Sequence, residues 1–219
     1  MRETILVLDF GGQYNQLIAR RVRECGVYCE VRPFTMTAEE IRRMAPKGII
    51  LTGGPNSVYD MTSPHGDPAI FDMGIPVLGI CYGAQLMAWT LGGKVATAPV
   101  SEYGRTEVTI LKKTGLLADV ADETVTWMSH TDYIEKMPDG FEATACTPVC
   151  PVAAMENEEK KLYGLQFHPE VTHSEEGMKM LSAFVYRSCG CSGDWRMNSF
   201  VEETISAVRS KVGLSLIHI

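Results

Sequence analysis

Positive charge is scarce in this sequence of 219 residues: 20 Lys and Arg against 27 Asp and Glu leave a net charge of -7. Nucleic-acid binding draws much of its affinity from neutralising phosphates. An acidic chain argues against that class, and Arg20, Arg21 and Arg23 read as a local solvated helix face. Long unbroken apolar runs are also missing. The most apolar stretch, 73–93, has about the length of a membrane span. Pro76, Gly79, Gly83 and Gln85 interrupt it, so it reads as a buried strand followed by a helix, and no membrane partner is expected. Paired Cys-x-x-Cys motifs are absent. The seven cysteines, at 25, 29, 81, 146, 150, 189 and 191, are odd in number and suit neither a disulfide framework nor zinc-ligand spacing. No metal is expected, Cys189-Gly-Cys191 being a faint signal at most. Met1-Arg2-Glu3-Thr4 lacks the basic, apolar and small-residue regions of a signal peptide. With mostly reduced thiols, a cytoplasmic location is expected.

What is present is ordinary for a globular chain: 45% hydrophobic and 21% charged residues, with room for one domain plus an extension or for two small domains. Thr4–Asp9 is a continuous apolar run, as expected of a strand buried on both faces. Gly11-Gly12 turn the chain. Tyr14, Leu17, Ile18, Arg21, Val22 and Cys25 then recur at three- and four-residue steps, a helix with one apolar stripe ended by Gly26. Strands are expected at Tyr28–Arg32, Gly48–Thr52 and Pro76–Cys81, and helices at Ala38–Met44 and Gly83–Leu91. This order argues for an α/β fold with an open, mostly parallel central sheet flanked by helices. Past Lys94 the pattern shifts to strands separated by turns: Lys94–Ala98, Arg105–Leu111, Thr124–Met128, Phe141–Cys146, Val152–Met155 and Leu162–Phe167. The sheet is expected to be mixed there. Glu175–Ser188 reads as a helix. After Ser188-Cys-Gly-Cys-Ser-Gly193, Asp194 is placed to cap a last helix with the stripe Met197, Val201, Ile205, Val208 and Val212.

The chemistry concentrates in Gly79-Ile80-Cys81-Tyr82-Gly83. An apolar strand ends, one nucleophilic residue stands at the corner, and a helix begins. Small residues on both sides allow the sharp bend that exposes such a side chain, and the helix start favours thiolate over thiol. A lone cysteine in a strand is commonly structural; the glycines tip the reading towards a nucleophile. A nucleophile needs a base, and the base an orienting group. His168-Pro169-Glu170 supplies both: Pro169 biases His168 to the extended conformation, and residues i and i+2 of an extended segment point to one side. Thr52-Gly53-Gly54-Pro55 follows the neighbouring strand, so the Gly54 and Tyr82 N–H groups are the expected oxyanion donors. Asp132, in Ser129-His130-Thr131-Asp132 after a strand end, is placed to accept a substrate ammonium. His130 reads as structural, His65 and His173 as solvent-facing, and His218 has no assigned role.

Cys81, His168 and Glu170 in these contexts resemble the class I glutamine amidotransferases. The GGP turn, the GICYG elbow and the HPE triplet occur in the family's order over residues 1 to about 188. The opening DFGGQYNQLIARRVRE resembles that of the amidotransferase domains of GMP synthases, usually close to DFGSQYTQLIARRVRE, with Gly12 and Asn15 in place of Ser and Thr. The resemblance implies the family's flavodoxin-like fold and hydrolysis of glutamine to glutamate and ammonia through a γ-glutamyl thioester on Cys81. His168 acts as base and then acid, Glu170 orients it, and Gln85 and Asp132 help to bind glutamine. It implies no cofactor in this chain. ATP and Mg would bind a partner, an ATP-pyrophosphatase synthetase domain or subunit that uses the ammonia to aminate xanthosine monophosphate to GMP. The SGGVDS-type loop of that partner is not in the sequence. Residues 1–188 thus read as the amidotransferase domain and 189–211 as a connector helix towards a missing synthetase domain. The tail 212–219 does not resemble the family's continuation and reads as truncated or foreign. Two alternatives remain open: another Cys-His-Glu γ-glutamyl hydrolase, or a catalytically silent regulatory subunit.

Overall fold

The computed structural model of the chain describes residues 2–197, 201, 205, 206 and 208–210. Its strands are β1 (Thr4–Asp9), β2 (Tyr28–Pro33), β3 (Gly48–Leu51), β4 (Val77–Ile80), β5 (Lys94–Ile110), β6 (Glu123–Lys136), β7 (Glu142–Cys146), β8 (Ala154–Asn157) and β9 (Leu162–Leu165). They form one nine-stranded sheet in the order β2-β1-β3-β4-β9-β8-β7-β5-β6. The β2-β1-β3-β4-β9 half is parallel, and the rest is antiparallel. The helices are α1 (Asn15–Glu24), α2 (Ala38–Met44), α3 (Tyr82–Thr90) and α4 (Gly177–Ala183), the last running into a π-helical turn, Phe184–Ser188.

Side-chain alternation along the parallel strands builds a core on each face. From β1, Ile5 and Val7 join Ile18 and Val22 of α1 and Met180 and Leu181 of α4 on one side. Leu6 and Leu8 join Ile41 of α2 and Met87 of α3 on the other. The helices begin and end on recognisable chemistry. Thr37 and Glu40 form a reciprocal capping box at the start of α2, and left-handed Ala45 ends it ahead of Pro46. Gly26, at φ +67, follows α1. With β1, β3, β4 and β9 parallel, their carboxyl ends lie along one edge, and the loops after them converge there.

Several expected elements differ in extent. The two strands expected at 94–98 and 105–111 are one strand, β5, with register shifts against β6 between Lys94 and Val95 and between Thr97 and Glu102. The strand expected at 124–128 runs on to Lys136, so His130 and Asp132 lie within β6 and not beyond its end. The helix expected over 175–188 is α-helical only from Gly177 to Ala183. Arg21 is only half-buried on α1 and is no solvated residue: its Nε donates to the Glu170 carbonyl at 2.9 Å.

Past Ser188 the chain stays fastened to the domain. Cys189 and Cys191 are buried. Ser192 donates its N–H and hydroxyl to Glu3 at 2.7 Å each, and the Trp195 N–H donates to the Gly26 carbonyl at 2.8 Å. The described residues from Met197 onward are helical, and Met197, Val201, Ile205 and Val208 of the expected stripe are exposed. Val212 and the tail 212–219 lie outside the described residues. No helix among the described residues is long and apolar enough to cross a membrane.

Backbone closes tightly on backbone where β4 meets α3. A Cβ added at Gly79 would stand 2.6 Å from the Ala84 nitrogen and from the Gly83 carbonyl carbon. Backbone atoms there cannot swing aside, so Gly79→Ala should cost about 2–3 kcal/mol. Urea unfolding would read this as a lowered midpoint; an unchanged midpoint would contradict the packing argument.

Candidate active site

The strand β4 ends at Ile80, and Cys81 turns the chain into α3 with φ +52 and ψ -109. A non-glycine residue there carries backbone strain and needs support. The Cys81 N–H donates to the Leu165 carbonyl at 2.7 Å, and its carbonyl accepts the Ala84 and Gln85 N–H groups at 3.0 and 3.1 Å. The sulfur therefore stands at the first turn of α3, on the positive side of the helix. Sγ lies 3.7 Å from the Ser129 carbonyl and 3.9 Å from Nε2 of Gln166.

Just past β9, His168 is pinned through its backbone. Its N–H donates to the Trp127 carbonyl at 3.0 Å. Its carbonyl accepts the Ser174 hydroxyl at 2.6 Å, and the Ser174 oxygen in turn accepts the Trp127 N–H at 3.0 Å. Tyr14 meets the imidazole edge-on, with ring centroids 5.1 Å apart. Nδ1 bonds Oε1 of Glu170 at 2.7 Å, which leaves Nε2 for the sulfur side. Glu170 is fully buried, and its Oε2 has no hydrogen-bond partner among the described residues. Burial lowers the His168 pKa. Hydrogen bonds to Cys81 and Glu170, and the negative charge of both, outweigh it and push the pKa up to about 10. The surroundings thus favour the imidazolium, the form that holds the proton a leaving group needs.

The oxyanion candidates lie on the flank of the site formed by the turn after β3. Gly53 and Gly54 follow that strand, and a Cβ at Gly53 would stand 3.2 Å from Cε1 of His168 and 3.7 Å from Cβ of Cys81. A Cβ at Gly54 would meet the Phe10 carbonyl oxygen at 2.9 Å. Side chains are excluded on this flank, and backbone is presented instead. Neither the Gly54 nor the Tyr82 N–H donates to another described residue. The Tyr82 side chain is buried under the turn, its hydroxyl donating to the Pro64 carbonyl at 2.7 Å.

A cavity of about 620 Å³ opens over Cys81 and His168, and Gly54, Gln85 and Asp132 also line it. The Asp132 carboxylate is buried. It accepts hydrogen bonds from the hydroxyls of Ser57, Tyr59 at 2.9 Å and Thr97 at 3.1 Å. These donors are neutral, and no ion pair joins Asp132 to another described residue. A carboxylate has about four lone-pair sites, so one remains open. Gln85, expected to help bind glutamine, lines the cavity and also braces its wall. Its Nε2 is committed to the Asp132 carbonyl at 2.7 Å and to Oε1 of Gln166 at 3.2 Å.

Ser57, Tyr59 and Thr97 carried no signal in the sequence, lying in a loop and on an irregular strand. Tyr14 and Arg21 did carry one: both stand in the three- and four-residue recurrence that marks α1, Tyr14 at its N-cap. His65 and His173 are exposed, and His173 stacks on Trp127 at 5.0 Å. His218 lies outside the described residues. Cys189 and Cys191 gather no third metal-ligating side chain among the described residues.

Comparison with known proteins places these features in a family. The family profile "Glutamine amidotransferase class-I" matches residues 6–188. The GMP synthase (glutamine-hydrolyzing) of Clostridium botulinum strain Alaska E43 is 66% identical over 212 residues, covering 97% of this chain and 41% of the relative. That of Clostridium perfringens strain 13 is 59% identical over 213 residues, covering 97% of this chain and 42% of the relative. The chain thus spans about two fifths of the length of these curated relatives. Among solved structures, a protein from Thermoplasma acidophilum, described as one subunit of a GMP synthase, superposes with a TM-score of 0.79 at 28% identity, over 94% of this chain and 98% of that one. A glutamine amidotransferase from Thermotoga maritima shares the fold, with a TM-score of 0.69 at 18% identity over 87% of this chain and 100% of that one.

The raised His168 pKa has a consequence for stability. A group whose folded pKa lies above its unfolded value stabilises the fold fully below the unfolded pKa, about 6.5 for histidine. That stabilisation is lost as pH rises through the folded value, here about 10. Wild-type protein should therefore lose on the order of 2–4 kcal/mol between pH 6.5 and 10 from this group. Glu170→Gln, which removes the carboxylate, should lose clearly less over the same range. Urea unfolding at pH 6.5, 8 and 10 checks this; parallel losses in both proteins would refute it.

Proposed function

The chain belongs to the class I glutamine amidotransferase family, and from that footing we propose that it hydrolyses glutamine to glutamate and ammonia as the glutaminase part of a GMP synthase. The observation that carries the reading is the pairing, in one cavity, of the Cys81–His168–Glu170 constellation with the buried, cation-free carboxylate of Asp132.

The residues divide the work. The glutamine α-ammonium takes the open lone-pair site of Asp132, which turns the carboxamide towards Cys81. The thiolate of Cys81 attacks the carboxamide carbon, and the developing oxyanion is met by the Gly54 and Tyr82 N–H groups. His168, already protonated, gives its Nε2 proton to the departing nitrogen as the C–N bond breaks. This leaves a γ-glutamyl thioester and ammonia. A water then attacks the thioester carbon and passes its proton to His168, and the sulfur leaves as thiolate. Glu170 holds the imidazole in register and stabilises its charge. His168 thus serves as base towards Cys81 in forming the thiolate, then as acid to the departing nitrogen, and as base again to the attacking water. Gln85 acts on substrate through Asp132, whose carbonyl it holds.

No step in this chain calls for a cofactor. ATP and Mg belong to the partner, an ATP-pyrophosphatase synthetase domain or subunit that activates xanthosine monophosphate and receives the ammonia. The high identity to GMP synthases favours this reading over another γ-glutamyl hydrolase or a silent subunit.

Glutamate release from glutamine tests the first half. Cys81→Ala should lower it by about a thousandfold or more, to background. Asp132→Asn should raise KM for glutamine about 10- to 100-fold with a smaller effect on kcat. A preference for γ-glutamyl peptides over glutamine would defeat the proposal. Supplied with a synthetase domain, xanthosine monophosphate and MgATP, the wild-type chain should support GMP formation from glutamine. Cys81→Ala should support it from ammonia alone.

A further inference from the structure

Behind the glutamine wall lies a buried polar group that the proposed chemistry does not use. Glu102 of β5, His130 of β6, and Thr147 and Cys150 of the turn after β7 are all buried. The ligand atoms of Glu102, His130 and Cys150 lie within 4.8 Å of one another. The hydrogen bonds show that this group is organised around protons and not around an ion. Thr147 accepts the Cys150 N–H at 2.9 Å and donates its hydroxyl to Oε1 of Glu102 at 2.7 Å. Oε2 of Glu102 meets Nε2 of His130 at 3.1 Å, and Nδ1 of His130 meets the Asp132 carbonyl at 3.0 Å. Every polar atom of the imidazole and the carboxylate is already committed.

The proton count follows from the acceptors. A backbone carbonyl cannot donate, so Nδ1 of His130 carries a hydrogen. Oε1 of Glu102 is an acceptor from Thr147. One proton must therefore lie between Nε2 and Oε2, whichever atom holds it. Without that proton the imidazole would turn to the other tautomer to serve Glu102, and the Nδ1 lone pair would face the Asp132 carbonyl oxygen. Asp132 would lose one of the two donors on its carbonyl, the other being Gln85. The register shift between Thr97 and Glu102 makes both contacts possible: it sets Thr97 opposite Asp132 and Glu102 opposite His130. One irregular strand thus holds the Asp132 carboxylate directly and its carbonyl through His130.

We propose that Glu102 and His130 are positioning residues for glutamine binding: Glu102 fixes the His130 tautomer whose Nδ1–H holds the Asp132 carbonyl, and so sets the carboxylate that receives the substrate ammonium. This rests on the glutamine site proposed above. Glu102 does not line the cavity, and both ring nitrogens of His130, which does, are committed to Glu102 and the Asp132 carbonyl, so loss of the pair weakens binding and leaves Cys81 reactive.

Protection of Cys81 separates these effects. Iodoacetamide alkylates Cys81, glutamine competes, and mass spectrometry of the labelled peptide yields the half-protecting glutamine concentration. Glu102→Gln keeps the acceptor for Thr147 and supplies an N–H to Nε2 of His130, so it should protect within twofold of wild type. Glu102→Leu should raise the half-protecting concentration about tenfold. The double variant Glu102→Leu with His130→Phe removes the paired imidazole and carboxylate together, leaving only the Thr147 hydroxyl without its acceptor, and it carries the test should the single variant not fold. It should show the same rise. In all of them the alkylation rate without glutamine should stay within twofold of wild type, which general loosening of the fold would not allow. Half-protection of the double variant within twofold of wild type would overturn the proposal, as would a parallel change in the glutamine-free rate. If glutamine gives no protection even in wild type, the glutamine site itself fails and the inference falls with it.

Discussion

The site depends on one strained corner. Cys81 sits at φ +52 between β4 and α3, and that backbone conformation is stable only if helix and strand close tightly around it. Gly79 and Gly83 permit the approach: an added methyl at either would meet backbone atoms of the other element or of β3. The corner sets three things at once. It points the sulfur out over the carboxyl end of the sheet, places it on the positive end of α3, and frees the Tyr82 N–H beside it. None of the three can be changed separately, because all follow from where the chain bends.

The two halves of the sheet contribute different parts. The parallel strands β3, β4 and β9 deliver the Gly53-Gly54 turn, Cys81 and His168, because parallel strands end together and their loops crowd one edge. The antiparallel half delivers the wall. β5 and β6 are last in the strand order, yet their long ribbon returns to the site. The Trp127 carbonyl holds the His168 N–H, the Ser129 carbonyl faces the sulfur, and Asp132 closes the far side of the cavity. A ribbon of 17 and 14 residues has the reach to do this, where a short edge strand would not.

This division explains what was legible in the sequence. The parallel half declares itself through continuous apolar runs, glycine turns and helical periodicity. Cys81, Gly54, His168 and Glu170 stand at the ends of those patterns, so a local reading finds them. The antiparallel half conceals its contribution. The break around Thr97–Glu102 reads as a gap between two strands, because a bulged segment loses its alternation. The strand holding His130 and Asp132 reads as finished at Met128, because His130 and Asp132 are polar where an inward face should be apolar. Their burial is apparent only once Ser57, Tyr59, Thr97 and Glu102 are brought in from distant parts of the chain. Polar residues buried as a satisfied network have no signature in local pattern. The same holds for Gln85, whose helical position marks it as lining the cavity while its amide is committed to the Asp132 carbonyl.

Helix α1 ties the triad to the chain's departure from the domain. Tyr14, just ahead of it, packs on the His168 ring, and Arg21 holds the Glu170 carbonyl. At its other end, the Tyr186 hydroxyl bonds the Cys25 carbonyl, and the Trp195 N–H bonds that of Gly26. A Cβ at Gly26 would crowd the Arg196 guanidinium at 3.0 Å, so the extension lies directly against the turn. One ten-residue helix therefore meets the catalytic pair along one flank and the outgoing segment at its end. Its arginine is half-buried for that reason: at a position one turn past Ile18 and next to Val22, a shorter side chain would not reach Glu170, whereas the long aliphatic stem of Arg21 covers apolar surface and still delivers a charged donor to the carbonyl. The opening segment that most resembles the amidotransferase domains of GMP synthases is thus the segment that the fold uses to hold the triad in place.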